Sequence, residues 1–303
     1  MFVEEYLQDL RRERFAPHAL LVYARRAAGR ARENMVANPG AVRSVWSVAL
    51  LFFAVTFIAA AGVALAFDRH LAYDFFLATA VGILPAFTLV TFHLELLRDR
   101  EGFRLSALNL PTVLTLLRVV LVPGIVLFLT DRHFLLALAF YMIAALSDVA
   151  DGWLARRWKQ TTALGTVLDP LVDVVFNLAI FGGLWAAGLL RGWVFAVACL
   201  RYGLLLVGGA WIYLFLGPVR IQPTLFGRLT GVVMSALVAF LALLHVVRGS
   251  LAIKLVPLTE IALGVLLTAT VGHVVALGWY NLRTMTGRAE APGRVVGDVR
   301  WGA

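Results

Sequence analysis

The sequence predicts an all-α, polytopic membrane protein built as a helix bundle. Of its 303 residues, 61% are hydrophobic and only 15% are charged, and the mean hydropathy is +0.86. Soluble domains carry about 25% charged residues, so an ordinary soluble fold is excluded. A helix crosses the bilayer with roughly 20 apolar residues. Eight runs are long enough: residues 45–67, 75–93, 110–130, 134–154, 165–190, 193–216, 229–247 and 256–280. Membrane β-strands are excluded, because these runs are about twice as long as a barrel strand and do not alternate.

The first 105 residues are predicted to form a unit of their own. The arginine-rich, polar segment 1–44 precedes two apolar spans, and the charged stretch ELLRDREGFR (95–104) separates these spans from the rest. We expect the basic segment either to lie on anionic lipid headgroups or only to fix the topology. We expect no cleavable signal peptide, because the first apolar run begins near Val45. Residues 106–285 then form a six-helix core, and residues 286–303 form a polar tail.

Two arginines lie inside predicted spans, Arg118 in the third and Arg201 in the sixth. Arg118 lies about 10 Å from Pro111 along the helix, within reach of acidic residues on neighbouring spans. Arg201 lies nearer mid-membrane, where we expect structural pairing, because an unpaired cation in hydrocarbon is costly. Glu260 follows Pro257 in the predicted first turn of the last helix, where an acid suits the helix dipole.

The distribution of cations predicts the orientation and excludes nucleic acid as a partner. With the N-terminus inside, the segments on the cytoplasmic side hold 20 Lys and Arg, the opposite loops hold 5 and the spans hold 2. This positive-inside bias predicts a multi-pass protein of the inner cell membrane, with both termini and the loop 155–164 in the cytoplasm. The single cysteine, Cys199, excludes an intrachain disulfide, and the six histidines are scattered, so no zinc site is expected.

Four of the ten aspartates lie between Ser147 and Asp173, at the junction of the fourth and fifth spans. Asp148 and Asp151 are three residues apart, and Asp169 and Asp173 are four apart, so each pair lies on one helix face. The short connector between the spans makes them antiparallel neighbours, which brings both pairs to the same depth. Four converging carboxylates repel one another and need cations. Carboxylates without thiolate or imidazole suit Mg²⁺, Mn²⁺ or Ca²⁺, and two such ions would bind a diphosphate.

Small residues and a further arginine stand beside these acids. Gly152 and Ala155 lie on the helix of the first acid pair and leave room for a flat ligand. Arg156 adds a fork of donors that matches phosphate. A single acid at a helix end is usually a cap or a solvated residue, but four acids at matched spacing are not explained in that way. The stretch therefore predicts a metal- and phosphate-binding active site at the membrane interface.

This stretch resembles the signature of the CDP-alcohol phosphotransferase (CDP-alcohol phosphatidyltransferase) family at every specified position. The resemblance covers roughly residues 106–285 and six spans, the number in the family core. The matching residues of the signature are Asp148, Asp151, Gly152, Ala155, Arg156, Gly165, Asp169 and Asp173.

Two weaker resemblances support the same register. The stretch LPTVLTLLR (110–118) resembles the family's first-helix pattern, with Pro111, Thr115 and Arg118 kept. Thr112 stands where asparagine is usual, which weakens any claim to the nucleotide contact that the asparagine would make. The stretch GRLTG (227–231) is a loose relative of a Gly-Lys segment of the family, with Arg228 in place of lysine.

The resemblance implies transfer from a CDP-linked donor, usually CDP-diacylglycerol, to an alcohol, with release of CMP and with Mg²⁺ or Mn²⁺, as two ions, for cofactor. It implies that Asp148, Asp151 and Asp169 are metal ligands. It implies that Asp173 is the general base and also able to contact a metal. It implies that the CDP diphosphate is bound by Gly152, Ala155, Arg156, Gly165, Thr115 and Arg118. It also implies a homodimer, and the small-residue run FGGLWAAG (181–188) would permit close packing of helices.

The motif is shared by enzymes with different acceptors, so it leaves the acceptor open. Glycerol 3-phosphate is the first choice, because Arg220 and Arg228 in the connector 217–228 would hold a phosphate, although topology alone also explains them. The alternatives are serine, inositol phosphate, another lipid, or choline or ethanolamine with a soluble CDP donor. From other classes, a cation or proton transporter would place acids near mid-bilayer in broken helices, and a catalytically silent scaffold would not need all four acids.

Overall fold

The computed structural model describes residues 16–158, 160–215, 225–247 and 249–289. In these residues a short 3₁₀ helix, Leu94–Leu96, follows the third helix, and a single π-helical turn, Leu204–Gly208, joins the seventh and eighth. The α-helices in chain order are α1 Pro17–Ala37, α2 Pro39–Ala66, α3 Arg69–Phe92, α4 Leu110–Thr130, α5 Phe134–Arg157, α6 Ala163–Ala186, α7 Gly192–Gly203, α8 Gly209–Phe215, α9 Leu225–Val247 and α10 Ser250–Ala289.

The prediction of an all-α bundle with eight spans is confirmed. In the described part of the chain, eight helical segments are long and apolar enough to cross a membrane, with α7, the π turn and the start of α8 counting as one segment, Gly192–Ile212. The second span begins earlier than predicted, because Asp68 caps α3 by accepting hydrogen bonds from the backbone N–H groups of His70 and Leu71. These hydrogen bonds, that from Leu71 foremost, lower the pKa of Asp68.

The last span differs from the prediction at its start. α10 begins at Ser250 and continues through Pro257, so the placement of Glu260 in a first turn is wrong. Glu260 is buried, accepts a hydrogen bond from the backbone N–H of Arg191, and lies 3.2 Å from its guanidinium Nε. The contact ties the loop before α7 to α10, and a pair separated by this much sequence leaves no local signal.

Helix α4 is the central element of the core. It packs against α3, α5 and α6, and α5 and α6 run antiparallel because only the short loop 158–162 joins them. We call the end of the bundle where α5 ends and α6 begins the site face. The other end, which carries the loop before α7, is the far face. Helix α4 begins at the site face, so its first turns lie between the two helices that carry the aspartates.

The N-terminal helix pair α2 and α3 packs on the core through α3. The Phe75 ring on α3 stacks on Phe128 of α4 with centroids 5.2 Å apart and meets Phe140 of α5 edge-on. Gly124 of α4 makes this approach possible, because a Cβ there would lie 2.5 Å from the Phe75 ring. The division of the chain at residue 105 stays a prediction.

The connector between α3 and α4, residues 94–109, holds the N-terminal pair and the site face together. The Asn38 side chain, which caps α2, donates to the backbone carbonyl of Leu105 at 2.8 Å, and the Ser44 hydroxyl accepts from the backbone N–H of Leu108 at 3.0 Å. On its other side the connector carbonyl of Arg98 accepts from the first residue of α6 at 3.1 Å. The connector therefore contacts α2 and the start of α6.

Gly124→Ala is expected to destabilise the protein by about 1–3 kcal/mol, because the added methyl group overpacks the buried Phe75 ring. The measurement is the thermal unfolding midpoint of the purified protein in detergent. The matched control is Gly62→Ala on α2, where a Cβ meets nothing within 4 Å. Equal midpoints for the two variants would contradict the packing of α3 on α4.

Candidate active site at the meeting of three helices

The acidic residues lie on two helices and face a third at one depth. Asp148 is nine residues before the end of α5, Asp173 is ten residues after the start of α6, and Arg118 is eight residues after the start of α4. At 1.5 Å of rise per residue, all three lie roughly 12–15 Å from the site-face ends of their helices. The two aspartate helices are antiparallel and bring the acids to similar depth, as predicted, but α4 packs between them, so they are not direct neighbours.

The guanidinium of Arg118 stands among the carboxylates. Its Nη1 lies 2.7 Å from Asp148 and also contacts Asp173, and its Nη2 lies 2.8 Å from Asp151. The Arg118 side chain is 3% exposed, and a buried cation is tolerated only when it is paired. One arginine thus draws carboxylates from both aspartate helices to the same side of α4.

The fourth aspartate is joined to this group by Thr115, one turn before Arg118. The Thr115 hydroxyl lies 3.2 Å from Asp151, 2.9 Å from Asp169 and 3.1 Å from the carbonyl of Pro111. A hydroxyl has a single proton, so it donates to one of these oxygens at a time. Thr115 and Arg118 together connect all four aspartates to one face of α4.

The charges of the group are unbalanced. Four carboxylates face one guanidinium, and two of the carboxylates are open, because the side chains of Asp148 and Asp173 are 53% and 55% exposed. Oxygen-only donors suit a hard divalent cation, so the donor set fits the metal that the family implies. Among the described residues no three acidic, histidine or cysteine side chains are arranged as a metal site. Arg118 contacts three of the four carboxylates, so a metal held here would share them with Arg118.

Small residues stand near the aspartates on α5 and α6, and other side chains cover them. A Cβ at Gly152 would lie 3.3 Å from Nη1 of Arg156, so the guanidinium of Arg156 lies directly over Gly152. A Cβ at Gly165 would lie 3.3 Å from the hydroxyl of Thr162, which caps α6 by accepting from the backbone N–H of Gly165. Ala155 lies one turn beyond Gly152 on α5 and is half-buried.

Asn109 was missed in the sequence and explains the unusual Thr112. The Thr112 hydroxyl donates to the Asn109 side-chain oxygen at 2.5 Å, and the Asn109 amide donates to the backbone carbonyl of Gln160. Asn109 therefore links the start of α4 to the loop between the aspartate helices. The signal was the asparagine three residues before the position where the family pattern has one.

The loop between the aspartate helices is also held by the connector. Arg100 donates to the hydroxyl of Thr161, and the carbonyl of Arg98 accepts from the backbone N–H of Ala163. These contacts hold the loop that joins α5 to α6, the two helices that flank α4.

Of the two arginines predicted to hold the acceptor, only Arg228 is described, and it makes no described contact with the cluster. Arg228 is exposed in the first turn of α9, and Arg220 lies outside the described residues. Arg118 and Thr115 contact the aspartates themselves, so direct contact of these two with a CDP donor stays a prediction.

Comparison with known proteins places the chain among enzymes of phospholipid synthesis. Residues 108–276, more than half of the chain, match the family of CDP-alcohol phosphatidyltransferases. A CDP-diacylglycerol–glycerol-3-phosphate 3-phosphatidyltransferase of Aquifex aeolicus is 30% identical over 141 residues, which cover 46% of this chain and 78% of that protein.

Enzymes of the same name from other bacteria are similar over a shorter stretch. That of Sodalis glossinidius is 51% identical and that of Escherichia coli K12 is 49% identical, each over 71 residues, or 22% of this chain. The matched stretch spans 39% and 38% of these two relatives, less than half of their length. No solved structure matches the chain significantly.

Arg118→Gln is expected to lower the stability of the protein in EDTA by about 3 kcal/mol, because the loss of one partner leaves buried charge uncompensated. Arg118→Lys keeps the charge and serves as the matched control, with a smaller loss because the fork that contacts both helices is gone. The measurement is the thermal midpoint in detergent without divalent metal. A midpoint for Arg118→Gln equal to that of the wild type would show that Arg118 does not hold the aspartates together.

Proposed function

Since the chain belongs to the family of CDP-alcohol phosphatidyltransferases, we propose that it transfers the phosphatidyl group of CDP-diacylglycerol to glycerol 3-phosphate and releases CMP, as a step of phospholipid biosynthesis. The observation that carries the proposal is the convergence of Asp148, Asp151, Asp169 and Asp173 around Arg118 and Thr115. The choice of acceptor is supported by relatives whose names specify glycerol 3-phosphate.

The proposed cofactor is Mg²⁺ or Mn²⁺, as two ions, held by Asp148, Asp151 and Asp169, with Asp173 beside them. When bound, the metal supplies positive charge that neutralises the diphosphate and the departing CMP. Arg118 contacts Asp148, Asp151 and Asp173 and would orient these carboxylates for the metal.

Asp173 is the proposed general base. Its half-exposed carboxylate is able to accept the proton of the acceptor hydroxyl. The hydroxyl oxygen forms a bond to the β-phosphorus of the donor, and the bond from that phosphorus to the oxygen of CMP breaks. CMP leaves with the bonding electron pair, so the step balances without any further reactant.

The border residues are proposed to hold the cytidine diphosphate part of the donor. Arg156, whose guanidinium lies over Gly152, carries the phosphate-matching fork. Gly152, Ala155 and Gly165 keep the rim of the site small. Thr115 and Arg118 would contact the diphosphate from α4, in addition to their bonds to the aspartates. Arg228, and Arg220 beyond the described residues, are proposed to attract the acceptor phosphate at the site face.

The site face is proposed to be cytoplasmic and the membrane to be the inner cell membrane. Support comes from the excess of cations on that side and from the bacterial relatives, and a soluble CDP-linked headgroup and acceptor would meet the site there. Modification of Lys254, on the opposite side, by an impermeant amine reagent in intact cells tests the orientation.

A homodimer is proposed on the family resemblance alone. The run 181–188 is already packed within the chain, because a Cβ at Gly183 would lie 3.2 Å from Leu129 and the Trp185 ring stacks on Phe195 at 5.0 Å. Mass measurement in detergent distinguishes a dimer from a monomer.

Purified protein with Mg²⁺ or Mn²⁺, labelled CDP-diacylglycerol and a panel of acceptors is expected to release CMP with glycerol 3-phosphate and to do so poorly with serine, inositol phosphate or choline. Asp148→Asn and Asp169→Asn should weaken donor binding as well as turnover, because they remove metal ligands. Asp173→Asn should keep the donor bound and lower kcat, by roughly 10²–10⁴-fold for the loss of a general base.

The matched control for these variants is Asp74→Asn, on α3 toward the far face, which should keep wild-type rates. CMP release without divalent metal, or full activity of any one of the three aspartate variants in the cluster, would overturn the site assignment. Transfer to serine with glycerol 3-phosphate inert would overturn the acceptor and keep the reaction class.

A further inference from the structure

Arg201, the second arginine inside a span, has no acidic partner in the described part of the chain. Its Nη1 donates to the hydroxyl of Tyr202 at 2.9 Å and to the Sδ of Met234 at 3.2 Å, and its guanidinium lies 4.8 Å from the Tyr202 ring centre. Its Nε is buried without a hydrogen-bond partner. The structural pairing predicted for Arg201 is therefore made only with neutral groups, unlike the pairing of Arg118 with three carboxylates.

Arg201 lies about one helical turn deeper in the bundle than Asp173, measured from the site face. It is fourteen residues before Phe215, where α8 ends toward the site face, which is roughly 21 Å at 1.5 Å per residue. Asp173 lies about 15 Å from the same face by the same measure. The two groups therefore differ in depth by roughly 6 Å and lie on neighbouring helices, since α6 packs against α7.

The side chain of Arg201 is held against the interior of the bundle. The Tyr202 side chain, whose hydroxyl accepts a hydrogen bond from Arg201, is buried, and its ring centre lies 6.4 Å from that of Phe181 on α6, the helix of Asp173. Together with the contact to Met234 on α9, this directs the guanidinium of Arg201 toward the bundle and not toward lipid.

The helix changes its winding directly after Arg201. The turn Leu204–Gly208 is π-helical, and glycines at 208 and 209 leave open space where a Cβ would stand. Single π-helical turns are frequent at functional sites. An ionisable residue inside a membrane span is energetically costly, and such residues usually mark a functional site. Both observations point to the same segment of the chain.

We propose that Arg201 binds the phosphate of the acceptor alcohol. The proposal rests on the proposed function, a transfer to glycerol 3-phosphate, and adds the residue that would select a phosphorylated acceptor. Both hydrogen bonds of the guanidinium that the structure describes use Nη1, which leaves the edge formed by Nε and Nη2. That edge is the one that forks a phosphate with two parallel bonds.

Geometry favours the acceptor over the donor as the ligand of Arg201. In the proposed site, the donor diphosphate binds to the metal held by the carboxylate cluster and to Arg156, which lies nearer the site face. An acceptor whose hydroxyl lies at Asp173 would extend its phosphate away from the diphosphate, and Arg201, about one turn deeper, is a cation that no carboxylate in the described part of the chain neutralises. Arg228 lies on the same helix as Met234, six residues or about 9 Å closer to the site face, so it would guide the phosphate inward and Arg201 would hold it.

The test compares Arg201→Gln with Arg201→Lys in steady-state transfer from CDP-diacylglycerol. We expect Arg201→Gln to raise the KM for glycerol 3-phosphate roughly ten- to hundredfold, the loss of hydrogen bonds to a charged group, with the KM for CDP-diacylglycerol nearly unchanged. Arg201→Lys should recover part of the loss because it restores the charge. The preference of kcat/KM for glycerol 3-phosphate over unphosphorylated glycerol should fall by the same factor in Arg201→Gln.

Met234→Leu is the matched control, because it removes a neutral partner of Arg201 and keeps the cation. It should leave the KM for glycerol 3-phosphate near the wild-type value. An Arg201→Gln enzyme with lower kcat or lower thermal stability but an unchanged KM and unchanged preference would show a structural role and overturn the proposal. Failure of the proposed function gives a different result, since the wild type itself would then not use glycerol 3-phosphate.

Discussion

The site depends on one ionic interaction, the contact of Arg118 with carboxylates from two other helices. Arg118 is 3% exposed inside a membrane span, where an unpaired charge is costly, and four aspartates in one place would repel one another without a cation. Arg118 and the aspartates therefore stabilise one another. The interaction fixes the rotation of α4, α5 and α6 about their axes, because Asp148, Asp151 and Asp173 must all face Arg118.

The rest of the bundle supports the helices that make this contact. A buried apolar cluster runs from Val45 of α2 and Phe87 of α3 through Leu116 of α4 to Leu164 and Leu168 of α6. Leu116 directly follows Thr115, so the N-terminal pair packs behind the face of α4 that carries the site. The connector adds polar bonds from the same side to the loop between α5 and α6. Through these contacts α2, α3 and the connector pack against α4 and α6 near the site face.

The sequence predicted the parts of this structure that depend on local composition and spacing. Hydropathy alone defines eight spans, and the intervals between the four aspartates place each pair on one helix face. The sequence did not show that α4 lies between the two aspartate helices and that both faces meet it. The contact of Glu260 with Arg191 was not predicted, because it joins residues far apart in the chain. The bonds of Asn109 and the π turn after Arg201 depend on tertiary packing in the same way. The spacing also placed Asp173 on one helix face with Asp169. It could not show which carboxylates Arg118 contacts.

The measurement that tests the central claim most directly is the binding of Mn²⁺ to the purified protein, followed by electron paramagnetic resonance in the presence of CMP. If the carboxylates around Arg118 form a cation site, the wild type and an Asp74→Ala control bind Mn²⁺ in a defined environment. An Asp151→Asn variant then loses this signal, because a ligand that contacts both Arg118 and Thr115 is gone. Equal binding of Mn²⁺ by the wild type and Asp151→Asn, or the absence of bound Mn²⁺ from the wild type, would contradict the claim.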